Sequence, residues 1–273
     1  MSRAPLLVGI VLVGLHLVLA LAAPLLSPWS PVVSDPAAAL QDPSWAHWAG
    51  TDAYGRDVLA RVLYGGRYAL AVSVAATVAA VGLGTLLGCL VALRGGWLDD
   101  AVMRVLDAVL AVPPVLALLV VVSVLGAGPA VVVLAVTVTY APAVVRVVRA
   151  AAMSVVRLDF VAAARMRGER TGSVLVREVL PNVVGVVAVE FALRASWVVL
   201  LISSLSFLGF GAAPPTPDWG LMVAENRTAV TVVPWSVLAP ILALATLVIG
   251  LNLAADGLAN RWGVDRMTAG ARR

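Results

Sequence analysis

Few side chains in this sequence could do chemistry, and the sharpest pair is Glu190 and Arg194, an acid and a base four residues apart inside a long apolar run. On a helix that spacing brings the two onto one face, with the acid first, the favourable order. Ionisable groups in such a segment are costly and face the protein interior or a polar passage. Two readings therefore stand side by side: contact with something passing along the chain, or a mutually neutralised pair buried against a partner subunit. Asp52, Arg56 and Asp57 form a second cluster beside Gly50 and Gly55, and Asp218 with Trp219 follows Pro214, Pro215 and Pro217. Both clusters could meet an external partner. Short polar residues beside glycines also serve as turn and cap residues, and Trp219 could equally anchor its arm at a membrane interface.

The remaining candidates exclude more than they offer. His16 lies in an apolar run and His47 in a loop, neither with a serine or carboxylate set that would make a catalytic triad. One cysteine rules out a disulfide framework, and with 2 histidines it leaves too few soft ligands for structural zinc. All 19 basic residues are arginine. Without lysine there is no GxxxxGK[ST] phosphate loop and no Schiff-base amine, so ATP hydrolysis of the P-loop kind is excluded from this chain.

The elements that must position these groups follow from composition. Of 273 residues 62% are hydrophobic and 12% charged, with a mean hydropathy of +1.01, where a soluble domain carries about 25% charged residues. The apolar residues come in blocks, and lipid is their solvent. A bilayer core of about 30 Å needs roughly 20 apolar residues as helix. Six blocks qualify, at residues 4–26, 68–93, 105–125, 130–148, 183–208 and 232–255, giving an all-α integral membrane fold in a single membrane domain, 1–273. The first block carries a small-residue triplet, Ala20, Leu21 and Ala22, like a secretory cleavage site, but its length favours an uncleaved helix. Gly126, Ala127, Gly128 and Pro129 make a tight hairpin of the third and fourth spans, and Pro113, Pro114 and Pro142 should kink them. Residues 27–67 form an external loop containing Trp29, Trp45 and Trp48 and ending in a short interfacial helix with Val58, Leu59, Val62 and Leu63 on one face. Residues 209–231 form a second, proline-stiffened external arm.

The arginines set the orientation. With the N-terminus inside, Arg3, Arg94, Arg104, Arg146, Arg149, Arg157, Arg165, Arg167, Arg170, Arg177, Arg261, Arg266, Arg272 and Arg273 are cytoplasmic, while Arg56, Arg61, Arg67 and Arg227 are external. Both termini are then cytoplasmic, and the basic excess needs no nucleic-acid partner. The one sizeable inner segment, 149–182, reads as two short helices: one stopping at Gly168, the next capped by Ser173 and closed by Pro181. They make a knob that projects Arg165, Arg167, Glu169 and Arg170 into the cytoplasm.

Within that knob Ala163, Ala164 and Gly168, followed by Leu180 and Pro181, are similar to the EAA loop of bacterial ABC-importer permeases, although the leading Glu of the pattern is Ala162 here. The stretches GTDAYGRDVLARVLYGGR and SLSFLGFGAAPPTPDWG resemble the dipeptide, oligopeptide and nickel permease group, in its second permease-subunit type. The resemblance covers roughly a third of the chain and implies a non-catalytic subunit of the bacterial cell membrane. Its implied partners are a second permease subunit, two cytoplasmic ATPase subunits carrying ATP and Mg, and an external substrate-binding protein. This chain itself would carry no cofactor. Peptides are the implied cargo, with nickel next. Two other classes are a gradient-driven transporter using Glu190 as its coupling carboxylate, and a membrane hydrolase, for which no set of acid, base and nucleophile is assembled.

Overall fold

A computed structural model describes residues 4–262, so Arg3, Arg266, Arg272 and Arg273 of the expected inner set lie outside the described residues. The fold is all-α. Its helices are α1 (Ala4–Leu26), α2 (Val58–Arg94), α3 (Gly96–Leu110), α4 (Pro114–Leu125), α5 (Pro129–Val156), α6 (Asp159–Met166), α7 (Thr171–Val174), α8 (Leu180–Phe207), α9 (Trp219–Asn226) and α10 (Trp235–Trp262). A single turn of 3₁₀ helix, Pro36–Ala38, interrupts the first external loop, and one π-turn, Leu175–Val179, joins α7 to α8. Five helical runs are long and apolar enough to cross a membrane: α1, α2, α5, the run Thr171–Phe207, and α10. The bent pair α3 and α4 makes a sixth.

Glycine lets the helices approach closely. On α2, a methyl group at Gly84 would lie 2.6 Å from the Val144 Cβ of α5, which is overlap, and the two helices run side by side through this contact. Apolar side chains then fill two layers. Near the inner end, Val81, Cys89 and Leu93 of α2 meet Val144, Val148 and Ala152 of α5. Near the outer end, Val72 and Ala76 meet Leu118 and Val122 of α4, Val132 and Val136 of α5, and Val198, Ile202 and Leu205 of α8. At the other side of the bundle α1 packs along α10. A methyl at Gly9 would fall 2.4 Å from the Ala254 amide nitrogen, and His16 bridges the pair, Nδ1 to the Leu12 carbonyl at 2.9 Å and Nε2 to that of Ala243 at 3.0 Å.

The fourth span runs eight residues past its expected end at 148 into the inner segment, and the sixth is Trp235–Trp262 where 232–255 was expected; three other differences from the sequence reading change the architecture. The short external helix and the second span are one helix of 37 residues, because nothing between Val58 and Arg94 breaks it; Asp57 caps its first turn. The third block, expected as one span over 105–125, is two helices meeting at 84°. Pro113 and Pro114 remove two amide donors at the junction, and arginines on α5 hold α3 in place. Asp99 pairs with Arg149, and Asp107 with Arg146. Eight residues of α3, about 12 Å of helix, thus match about 4.5 Å of α5, so α3 lies across the bundle and only the 12 residues of α4 run through it. Third, Pro181 does not close the second knob helix. It sits in the first turn of α8, and the wider π-turn before it displaces the carbonyls its ring would strike, so the helical path continues from Thr171 to Phe207.

Candidate functional site

The inner knob is built on the ends of α2 and α5. In α6, Val161 and Ala164 are buried, and with Val174, Leu175 and Val179 they extend the inner apolar layer formed by Leu93, Ala152 and Val155. The chain then reverses at Gly168, whose φ of +76° would strain any residue with a Cβ. The second knob helix starts at Thr171, ahead of the expected cap Ser173, whose hydroxyl instead donates to Glu169 at 3.1 Å. Glu169 also accepts from Arg167 at 2.7 Å, and these two donors hold its carboxyl below the usual range. Arg165 donates to the Leu93 carbonyl at 2.8 Å, pinning the knob to the last turn of α2. What remains outward is a face of Ala162, Arg167 and Arg170, with Met166 83% exposed. Ala163 is half-buried behind it, and Leu180 and Pro181 lie in the first turn of α8. This surface is apolar at its centre, cationic at its rim, and rigidly joined to a long helix.

Midway along α8, the Arg194 Nε donates to Glu190 at 3.0 Å, and the guanidinium lies 5.9 Å from the ring centre of Tyr140 on α5. Glu190 is buried, whereas Arg194 and Tyr140 are half-buried and Trp197 beside them is 59% exposed. The pair is neutral as a unit. Its carboxylate is the more enclosed end, and its guanidinium is partly exposed beside Tyr140 of α5.

The external candidates turn inward. Asp52 is fully buried, with Oδ1 accepting the amides of Tyr54 and Arg56 and Oδ2 accepting the Arg56 Nε at 2.7 Å. Arg56 and Arg61 both donate to one oxygen of Glu225 on α9, at 2.6 and 3.0 Å. Asp57 caps α2 through the Ala60 amide and receives the His47 Nδ1–H at 2.9 Å. Asp218 caps α9 through the Leu221 amide, and burial pushes its carboxyl above the usual range. Trp219 is buried, its indole N–H donating to the Val62 carbonyl at 2.8 Å. Of these five, Asp52 and Asp57 act as turn and cap residues, Arg56 as their ion-paired neighbour, Asp218 as the cap of α9, and Trp219, expected as a partner contact or an interface anchor, is packed into the protein. They weld the two external segments into one cap over the bundle.

Sequence reasoning missed Glu225, Arg61 and Asn226 of this cap, and the acids Asp99 and Asp107 on α3. Glu225 pairs with residues more than 160 positions away, so no local spacing announces it. The two α3 acids did carry a signal: Asp99 lies just ahead of the block expected to cross lipid and Asp107 inside it. Among the described residues no group of three or more His, Cys, Asp or Glu is placed to hold a metal ion.

Comparison with known proteins gives this arrangement a context. Residues 84–264, which hold the knob, α8 and α9, match the family model described as binding-protein-dependent transport system inner membrane component. The chain is similar to the dipeptide transport system permease protein of Alkalihalophilus pseudofirmus, at 34% identity over 92% of this chain and 83% of the relative. It is 38% identical to the glutathione transport system permease protein of Pectobacterium atrosepticum over 80% of this chain and 72% of that one. The glutathione permease protein of Escherichia coli is also 38% identical, over 79% and 71% of the two chains.

Proposed function

The chain belongs to the binding-protein-dependent transport system inner membrane components, and from that premise we propose that it forms half of the passage through which an ATP-driven importer moves peptides. The observation that carries the mechanism is the unbroken helical path from the knob to the outer end of α8. Separate ATPase subunits, which bind ATP and Mg, would seat the outward face of Ala162, Met166, Arg167 and Arg170. Their closure would swing α6, the Gly168 turn and α7 as one body, because Arg165 and the buried Val161, Ala164 and Val174 leave no slack. Leu180 and Pro181 pass that swing into α8, and its tilt opens one side of the bundle while closing the other.

Peptide cargo rests on relatives named for dipeptide and glutathione transport, and peptides carry a carboxylate that the half-exposed Arg194 suits. In this reading a second permease subunit supplies the facing wall, an external substrate-binding protein delivers the cargo, and both termini are cytoplasmic, which the arginine asymmetry supports. The test is uptake of labelled dipeptide into proteoliposomes holding the whole complex. Arg167→Glu with Arg170→Glu, both exposed, should leave the melting temperature unchanged and cut uptake and ATPase association at least tenfold. Undiminished uptake overturns the docking role.

A further inference from the structure

At the outer end of α1 lies a pocket that the coupling mechanism does not use. It has a volume of about 220 Å³ and is lined by Leu26, Trp29, Trp45, Trp48, Asp57 and Leu59, among others. Trp29 is a fixed wall: its indole N–H donates to the Ala46 carbonyl at 2.9 Å and its ring lies 4.5 Å from that of His47. Trp48 and Trp45 are open walls, 72% and 98% exposed. The base is Asp57, only 4% exposed. Its two oxygens accept from the Ala60 amide and from the His47 Nδ1–H. Aromatic faces around a buried negative charge attract a cation through the ring quadrupoles and Coulomb's law together, and organic ammonium groups are the cations that also profit from apolar contact.

We propose that this pocket binds an organic ammonium group, and that its occupant is the ethanolammonium headgroup of a phospholipid in the outer leaflet. Position favours lipid over a soluble amine. The pocket begins at the last turn of a membrane-crossing helix, where Leu25 is 90% and Leu26 51% exposed, so acyl chains reach its lower lip while the headgroup lies level with the tryptophans. Nothing in this assignment depends on the importer's cargo.

Native mass spectrometry of the whole complex, loaded with phosphatidylethanolamine or with phosphatidylglycerol, tests it. Retention of phosphatidylethanolamine should exceed that of phosphatidylglycerol by roughly tenfold, the equivalent of one strong cation–π contact. Asp57→Asn keeps a capping oxygen for the Ala60 amide and removes the charge, its new amide donating to His47 Nδ1 in the other tautomer of the ring; it and Trp48→Ala should each abolish the preference with the melting temperature unchanged. Equal retention of the two lipids, or a preference that survives both substitutions, overturns the site. Displacement of the retained lipid by free dipeptide assigns the pocket to a soluble amine and overturns the lipid reading.

Discussion

Glu190 and Arg194 show how a charge pair survives among apolar helices. Each alone would be an uncompensated ion; together they are neutral, with Tyr140 covering the guanidinium. Arg194→Leu leaves the buried Glu190 without its donor and should destabilise the chain by about 3–5 kcal/mol, the usual cost of breaking a buried pair. Replacing both, Glu190→Gln with Arg194→Gln, should restore assembly of the complex; dipeptide uptake that then stays several-fold low assigns Arg194 to the passage, and normal uptake removes it from there. Glu225 serves two guanidiniums with one oxygen, so Glu225→Ala should lower stability by a similar ~3–5 kcal/mol, read as a fall in melting temperature. Asp218 gives a pH effect of definite sign. Burial raises its carboxyl above the unfolded value, so its contribution is fully present below the unfolded pKa and is lost as pH rises through the folded one. Asp218→Asn, still a competent cap, should flatten that decline in melting temperature.

At the scale of elements, the helix ends separate what was legible from what was not. The far end of α1 could be read from its apolar block, which stops at Leu26 ahead of Ser27 and Pro28. The inner knob was legible too, since Gly168 needs a left-handed turn and its flanking residues favour helix. Hydropathy does not record direction, which is why α3 and α4 read as one span; the Asp99 and Asp107 pairings with α5 that turn α3 across the bundle are tertiary. The burial of Asp52, Arg56 and Asp57 was invisible for the same reason: Arg56, which pairs with Asp52, also pairs with Glu225 on another segment, and Asp57 meets His47. Pro181 misleads by its ordinary habit of stopping helices, and a π-turn accommodates it. Two glycines inserted after Val179 should break the link between knob and α8: ATP hydrolysis by the complex continues while dipeptide uptake falls more than tenfold. Uptake that persists would mean the knob acts through α5 instead.

The whole molecule is a bundle closed at one end by a charged cap and at the other by a knob, and α2 touches both. Its first turns carry Arg61 of the cap, and its last turn carries the Leu93 carbonyl that receives Arg165. At 37 residues it is about 55 Å long. The proposed orientation can be checked with single cysteines in a chain bearing Cys89→Ser. A thiol at Ala46 should react with an impermeant reagent added outside, and one at Arg170 only after the membrane is opened. The pairing of α1 with α10 has a consequence in time. Helix α1 precedes α10 in the chain, yet the surface shaped to receive Gly9 and His16 is Gly250, Ala254, Ala243 and Thr246 on α10. Helix α1 must therefore wait in the bilayer, its histidine without that partner, until α10 has been made. Completion of the bundle is then the slow, long-range step of biogenesis, and a chain cut before Trp235 would present quality-control proteases with an unclosed seam.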